Sequence, residues 1–145
     1  MSGGARLAIA LGDPNGIGPE IALKALAALP QAERERFSVF GPGEVLRRTA
    51  HQLGLNDVLA GVRHHEAGTL EASAIAPGRI DAAAGASAVA SATAAIRAVQ
   101  AGDCDAVIAC PHHETAIAQA GIAFSGYPSL VARVCGQPTD SVFLM

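Results

Sequence analysis

Two short stretches hold most of the side chains that could do chemistry. The first is Gly12-Asp13-Pro14-Asn15-Gly16-Ile17-Gly18-Pro19-Glu20. Its glycines let the backbone take positive φ and approach a ligand or another chain segment closely. Asp13 and Asn15 are its polar candidates for contact with substrate or cofactor, and both equally suit turn stabilisation by side-chain to backbone hydrogen bonds. The glycines fall at 12, 16 and 18, so neither the dinucleotide fingerprint G-x-G-x-x-G nor the P-loop G-x-x-x-x-G-K-[ST] is present. From spacing alone, a tight turn without a ligand fits as well as a binding loop.

The second stretch is Pro111-His112-His113-Glu114-Thr115. Consecutive residues at a strand end diverge, so a metal site built from these side chains alone is strained, and the zinc-protease spacing H-E-x-x-H is absent. A histidine on a loop more often makes a polar contact than a metal bond. Its place, between a strand and a helix start whose N–H groups are open to an anion, favours a functional role, with His113 the best candidate. His64 and His65 read differently. Neighbours on a strand point to opposite faces, so they make an exposed polar strand end rather than a shared metal site.

The elements that must position these loops follow from pattern. Leu7 to Leu11 reads as a buried strand, and Ile21 to Leu29 as a helix, with Pro19 suited to the first helical position and Glu20 to the positive end of the helix dipole. Pro30 marks a break, and Gln31 to Arg36 reads as a connector or one helical turn. Phe37 to Phe40 predicts a strand and Glu44 to Leu53 a helix capped by Gly54. Val58 to Glu66 predicts a strand, and Gly68 to Gly78 a loop. Ala82 to Ala101 predicts the longest helix, with Ala86, Val89, Ala90, Thr93 and Ile96 on its packing surface and Gly102 ending it. Asp105 to Cys110 predicts a fully buried strand, followed by a helix to Ala120 capped by Gly121. Alternating strands and helices predict an α/β protein, a parallel-rich sheet with helices on both faces, whose ligand sites lie at the carboxyl ends of strands.

Composition narrows the partners. A chain of 145 residues, half of them apolar and with formal charge −3, matches neither a disordered segment nor a polyanion binder. No basic patch with interleaved aromatics points to nucleic acid. The apolar runs read as too short to cross a bilayer, and the first residues lack a signal peptide's basic end and long apolar stretch. Cys104, Cys110 and Cys135 are odd in number without paired spacing, which fits reduced thiols and a cytoplasmic location.

With these residues in view, the first stretch resembles the amino-terminal signature G-[DE]-P-x-G-I-G-P-[DE] of the 4-hydroxythreonine-4-phosphate dehydrogenase (PdxA) family. A second family pattern covers Ile108 to Leu130: a strand ending in proline, then Asn or His and Lys, then a helix and A-G-I-x-F-x-G-H-T-E. This chain keeps Pro111, His113, Ala120, Gly121, Ile122, Phe124 and Gly126. It departs at Glu114, where Lys is usual, and at Tyr127-Pro128, where His-Thr contacts the substrate's phosphorylated end. Losing a cation, an imidazole and a hydroxyl weakens phosphate binding. With Ser125 to Leu130, the pattern is closer to the terephthalate-degrading branch, which acts on 1,2-dihydroxy-3,5-cyclohexadiene-1,4-dicarboxylate.

The resemblance implies an isocitrate/isopropylmalate dehydrogenase-like fold, NAD or NADP as cofactor, and a divalent metal (Zn, Mg or Mn). It implies histidine ligands supplied by both subunits of a homodimer at positions beyond residue 145. No metal ligand is therefore expected within this chain. Family members run to roughly twice this length as two-domain subunits, so residues 1–145 are expected to be an amino-terminal portion, incomplete at the carboxyl end and inactive alone. Ser141 to Met145 is expected to begin another buried strand. The expected site comprises a cofactor or substrate loop of Gly12, Asp13, Asn15, Gly16 and Gly18, and substrate contacts from His113, Glu114 and Tyr127.

Overall fold

A computed structural model describes residues 4–138; the strand expected over Ser141 to Met145 lies outside them. Among the described residues the strands are β1 (Leu7–Ala10), β2 (Phe37–Gly41), β3 (Arg63–Glu66) and β4 (Ala106–Ala109). The helices are α1 (Gly18–Ala27), α2 (Gln31–Arg34), α3 (Gly43–Leu53), α4 (Asn56–Ala60), α5 (Ala82–Gln100), α6 (Glu114–Gln119) and α7 (Tyr127–Val134). All strand pairings are parallel, in the order β3-β2-β1-β4. Parallel neighbours need helical crossovers, which is why helices cover both faces.

Period-2 alternation along β1 divides the core. Ile9 and Leu11 face one side with Val39 and meet Leu23 and Leu26 of α1, Leu46 of α3 and Val58 of α4. Ala8 and Ala10 face the other with Phe40 and meet Ala92, Ala95 and Ile96 of α5 and Leu130 of α7. The small β1 side chains let α5 lie close to the sheet. Gly85 lets α5 lie close to α6: a Cβ there would stand 2.3 Å from the Ala116 backbone. At the opposite end of the sheet, Arg6 fixes β4 beside β1, its Nη2 donating to Asp105 Oδ1 at 2.9 Å and its backbone N–H to Asp105 Oδ2 at 2.7 Å.

Several expectations need correction. β4 is not fully buried: it is an edge strand among the described residues, and Ile108 is 46% exposed. Its run of apolar residues signalled burial, but strand order depends on long-range pairing that the run does not encode. The first part of the Val58 to Glu66 segment is helical (α4), and the strand begins only at Arg63. Pro19 occupies the second helical position, because α1 begins at Gly18. On α5 the buried face runs through Ala84, Ala88, Ser91, Ala92, Ala95 and Ala98, while Val89 and Thr93 are half-buried and Ala90 is exposed. In so alanine-rich a helix, hydrophobicity hardly varies around the axis and cannot fix the packing face. Contrary to the reading of short apolar runs, α5 is long and apolar enough by length and composition to cross a membrane. Here its buried half packs on the sheet, α6 and α7 as a core helix.

Candidate functional site

Strand order creates the site. From β1 the chain steps outward to β2 and β3, then returns through α5 to place β4 on the other side of β1. The loop after β1 leads to α1 on one face, and the loop after β4 leads to α6, against α5 on the other. Between β1 and β4 the connections diverge, opening a crevice at the carboxyl ends of the strands, where open α/β sheets bind ligands. Both chemically loaded stretches of the sequence meet there.

Backbone contacts join the two loops. Asp13 N–H donates to Pro111 O at 2.9 Å. Gly12 has φ +70°, and a Cβ on it would stand 2.1 Å from Pro111 O. At Gly18 a Cβ would stand 2.0 Å from Leu11 O. These two glycines are thus required by the approach of one chain segment to another. Packing alone accounts for both, with no ligand needed to explain them. Gly16 closes the turn, donating its N–H to Asp13 O at 3.0 Å.

Asp13 and Asn15 are 5% and 3% exposed. Asp13 Oδ1 accepts the Asn15 N–H at 2.8 Å, a local Asx-type turn. The Asn15 amide is used at both ends: Oδ1 accepts the Ala76 N–H at 2.8 Å, and Nδ2 donates to Ala74 O at 3.0 Å and Arg79 O at 3.4 Å. Asn15 O also accepts the Gly78 N–H at 2.7 Å. Asn15 therefore fastens the 74–79 loop, which had no assigned purpose from sequence, to the end of β1. This brings Arg79 and Ile80 into the crevice beside Asp13, Ile17, His112 and His113, around a cavity of about 370 Å³.

His113 and Glu114 are exposed at the mouth, as the N-cap and first residue of α6. His112, which sequence reasoning passed over for His113, is the more enclosed imidazole. Its ring stands edge-on to Phe124 and to Tyr127, each with centroids 4.7 Å away, and its Nε2 lies 3.9 Å from Glu114 Oε1. Tyr127 does not line this crevice. Its hydroxyl donates to Cys110 O at 2.7 Å, and its ring supports His112. Burial pushes the Tyr127 phenol up to about 12, with nearby Cys110 contributing, and burial pushes the Cys110 thiol up to about 11. Both remain neutral near pH 7, so neither supplies a ready anion.

Arg79 was also missed in the sequence. Its one signal is that Arg79 and Asp81 are the only charged residues between Glu71 and Arg97. Among the described residues no cluster of three or more His, Cys, Asp or Glu is placed to hold an ion.

A parallel sheet wound on both faces, with a polar crevice at its switch point, defines an α/β ligand-binding unit of the kind enzymes use. The profile of the pyridoxal phosphate biosynthetic protein PdxA matches residues 33–145, and the chain belongs to that family. It is 57% identical over 140 residues to the 1,2-dihydroxy-3,5-cyclohexadiene-1,4-dicarboxylate dehydrogenase of Comamonas sp, spanning 97% of this chain and 44% of that protein. Against the 4-hydroxythreonine-4-phosphate dehydrogenase of Thermosynechococcus vestitus, identity is 33% over 136 residues, spanning 90% of this chain and 39% of that one. The crystal structure of a terephthalate 1,2-cis-dihydrodiol dehydrogenase from Burkholderia xenovorans LB400 superposes with TM-score 0.77 at 42% identity, covering 94% of this chain and 42% of that one. The chain thus spans less than half the length of the relatives it matches.

Proposed function

We propose that this chain forms part of an NAD(P)-dependent, metal-assisted dehydrogenase that acts on the cis-dihydrodiol of terephthalate. The overall conversion takes the dicarboxylate dianion and NAD(P)⁺ to protocatechuate, CO₂ and NAD(P)H, which balances in atoms and charge. The observation that carries the reading is the step in identity, 57% to the Comamonas dihydrodiol enzyme against 33% to a 4-hydroxythreonine-4-phosphate dehydrogenase. The crevice loops support it. Glu114 and Tyr127-Pro128 stand where the phosphate-binding enzymes carry Lys and His-Thr, which removes a cation, an imidazole and a hydroxyl that would grip a phosphate.

In this reading residues 1–145 are an amino-terminal α/β portion of a two-domain subunit that works as a homodimer, and they supply one wall of the substrate site. Asp13 and Asn15 shape that wall. His112, braced by Phe124 and Tyr127, and His113 at the mouth face the substrate. The nicotinamide cofactor and the metal are held outside the described residues. The 145-residue chain alone does not turn over.

Side-by-side kcat/KM values for the dihydrodiol dicarboxylate and 4-hydroxy-L-threonine phosphate, measured on the complete enzyme, test the reading. The dicarboxylate is expected to be preferred, and His113→Ala to raise its KM or lower kcat. Preference for the phosphorylated amino acid would move the protein to pyridoxal phosphate biosynthesis.

A further inference from the structure

We infer that Arg79 anchors one carboxylate of the substrate and so selects a dicarboxylate; this rests on the functional reading above and names the recognition element within that site. A dicarboxylate entering the crevice needs a cation or several donors to replace the water it loses. Among the described residues around the cavity, Arg79 is the one side chain that is charged positive at every working pH.

Its guanidinium is pre-oriented with capacity to spare. Nη2 donates to Asp81 Oδ2 at 3.0 Å and to Ser73 O at 3.4 Å. Nε and Nη1 have no protein partner among the described residues, which leaves enough donors for a two-point grip on a carboxylate. The Asp81 pair does not explain why Arg79 is here. Asp81 caps α5 through its other oxygen, Oδ1, which accepts the Ala83 N–H at 2.9 Å, and an ion pair this exposed contributes little to stability.

The backbone arrangement points the same way. Asn15, itself 3% exposed, takes a hydrogen bond from Gly78 N–H and gives one to Arg79 O. Asn15, in the loop after β1, thus holds the main chain at Gly78 with its backbone carbonyl and at Arg79 with its side-chain amide. Ile17 and Ile80, 61% and 46% exposed, line the same cavity and offer apolar contact to a six-membered ring. Asp13, 5% exposed, is the one carboxylate among the described lining residues, and it already accepts the Asn15 N–H; Asp81, which pairs with Arg79, lies outside the lining.

Calorimetric titration with terephthalate, a dicarboxylate of the substrate's own size, reads the inference without turnover. Arg79→Gln should weaken terephthalate binding by about tenfold or more, the scale of one charge-assisted two-point contact. Arg79→Lys, which keeps the charge but not the fork, should fall between. The uncharged diamide of the same shape should bind all three proteins alike. Equal terephthalate affinity in unaltered protein and in both variants, each melting cooperatively, overturns the inference, as does absence of terephthalate binding to the unaltered protein. Failure of the functional reading shows elsewhere: the enzyme would oxidise 4-hydroxythreonine phosphate and not the dihydrodiol, while terephthalate binding still depended on Arg79.

Discussion

Tyr127 illustrates how one side chain can serve a site without entering it. Its ring meets His112 edge-on, and its hydroxyl reaches back to the carbonyl at the end of β4. Ionising it would place a phenolate against a carbonyl oxygen in a partly dry environment, which is why its proton is held until about pH 12. The sign of the coupling to stability follows. The folded value lies above the unfolded one, so the contribution is complete below about pH 10 and is lost as pH rises towards 12. Because Tyr127 is the only tyrosine and the chain has no tryptophan, ultraviolet titration reads it directly. The folded protein is expected to show a midpoint well above the ordinary 10, and Tyr127→Phe should flatten the alkaline fall in stability. A midpoint near 10 would mean the hydroxyl is free in solution. Sequence reasoning reached Tyr127 by its place in a family pattern, which identifies a position but not the direction of its hydroxyl.

At the level of elements, what could be read from sequence was what local chemistry dictates. Gly54 ends α3 in the left-handed conformation, φ +67°, and Gly102 follows α5 with φ +81°, both as glycine after a periodic apolar run implies. The strand-turn-helix around Gly12 and the second loop after Cys110 were legible for the same reason. The edge position of β4, the helical turns of α4 and the buried face of α5 were not, because each depends on which distant segment packs alongside. Asn15 shows the limit within the site: its turn role was legible, its grip on residues 74–79 was not. The two kinds of glycine can be separated by mutation. Gly12 and Gly54 share a positive φ, but an added Cβ at Gly54 meets nothing within 4 Å, whereas at Gly12 it meets Pro111 O at 2.1 Å. Gly54→Ala should cost about 1 kcal/mol, the left-handed penalty alone. Gly12→Ala should cost several times more by urea unfolding, since the β1 and β4 loops must separate. Equal losses would show that the loop contact is soft.

The arrangement of the whole sheet decides which chemistry the chain can hold by itself. Its five histidines fall in three places: His51 in α3, His64 and His65 on β3, and His112 and His113 after β4. In the order β3-β2-β1-β4 the last two groups are three strand spacings apart, about 14 Å at ordinary sheet geometry, whereas metal-to-nitrogen bonds are about 2 Å. In the β3 pair the side chains diverge: His64 Nε2 bonds Gly41 O at 2.8 Å, while the His65 ring stacks on Phe40. His112 and His113 share the crevice, but among the described residues no third His, Cys, Asp or Glu joins them in a cluster that could hold an ion. Calorimetry of the chain with Zn²⁺, Mg²⁺ and Mn²⁺ is expected to show no tight stoichiometric binding in a protein that still melts cooperatively. Tight binding at one ion per chain would overturn the assignment of the metal to residues outside this part of the molecule.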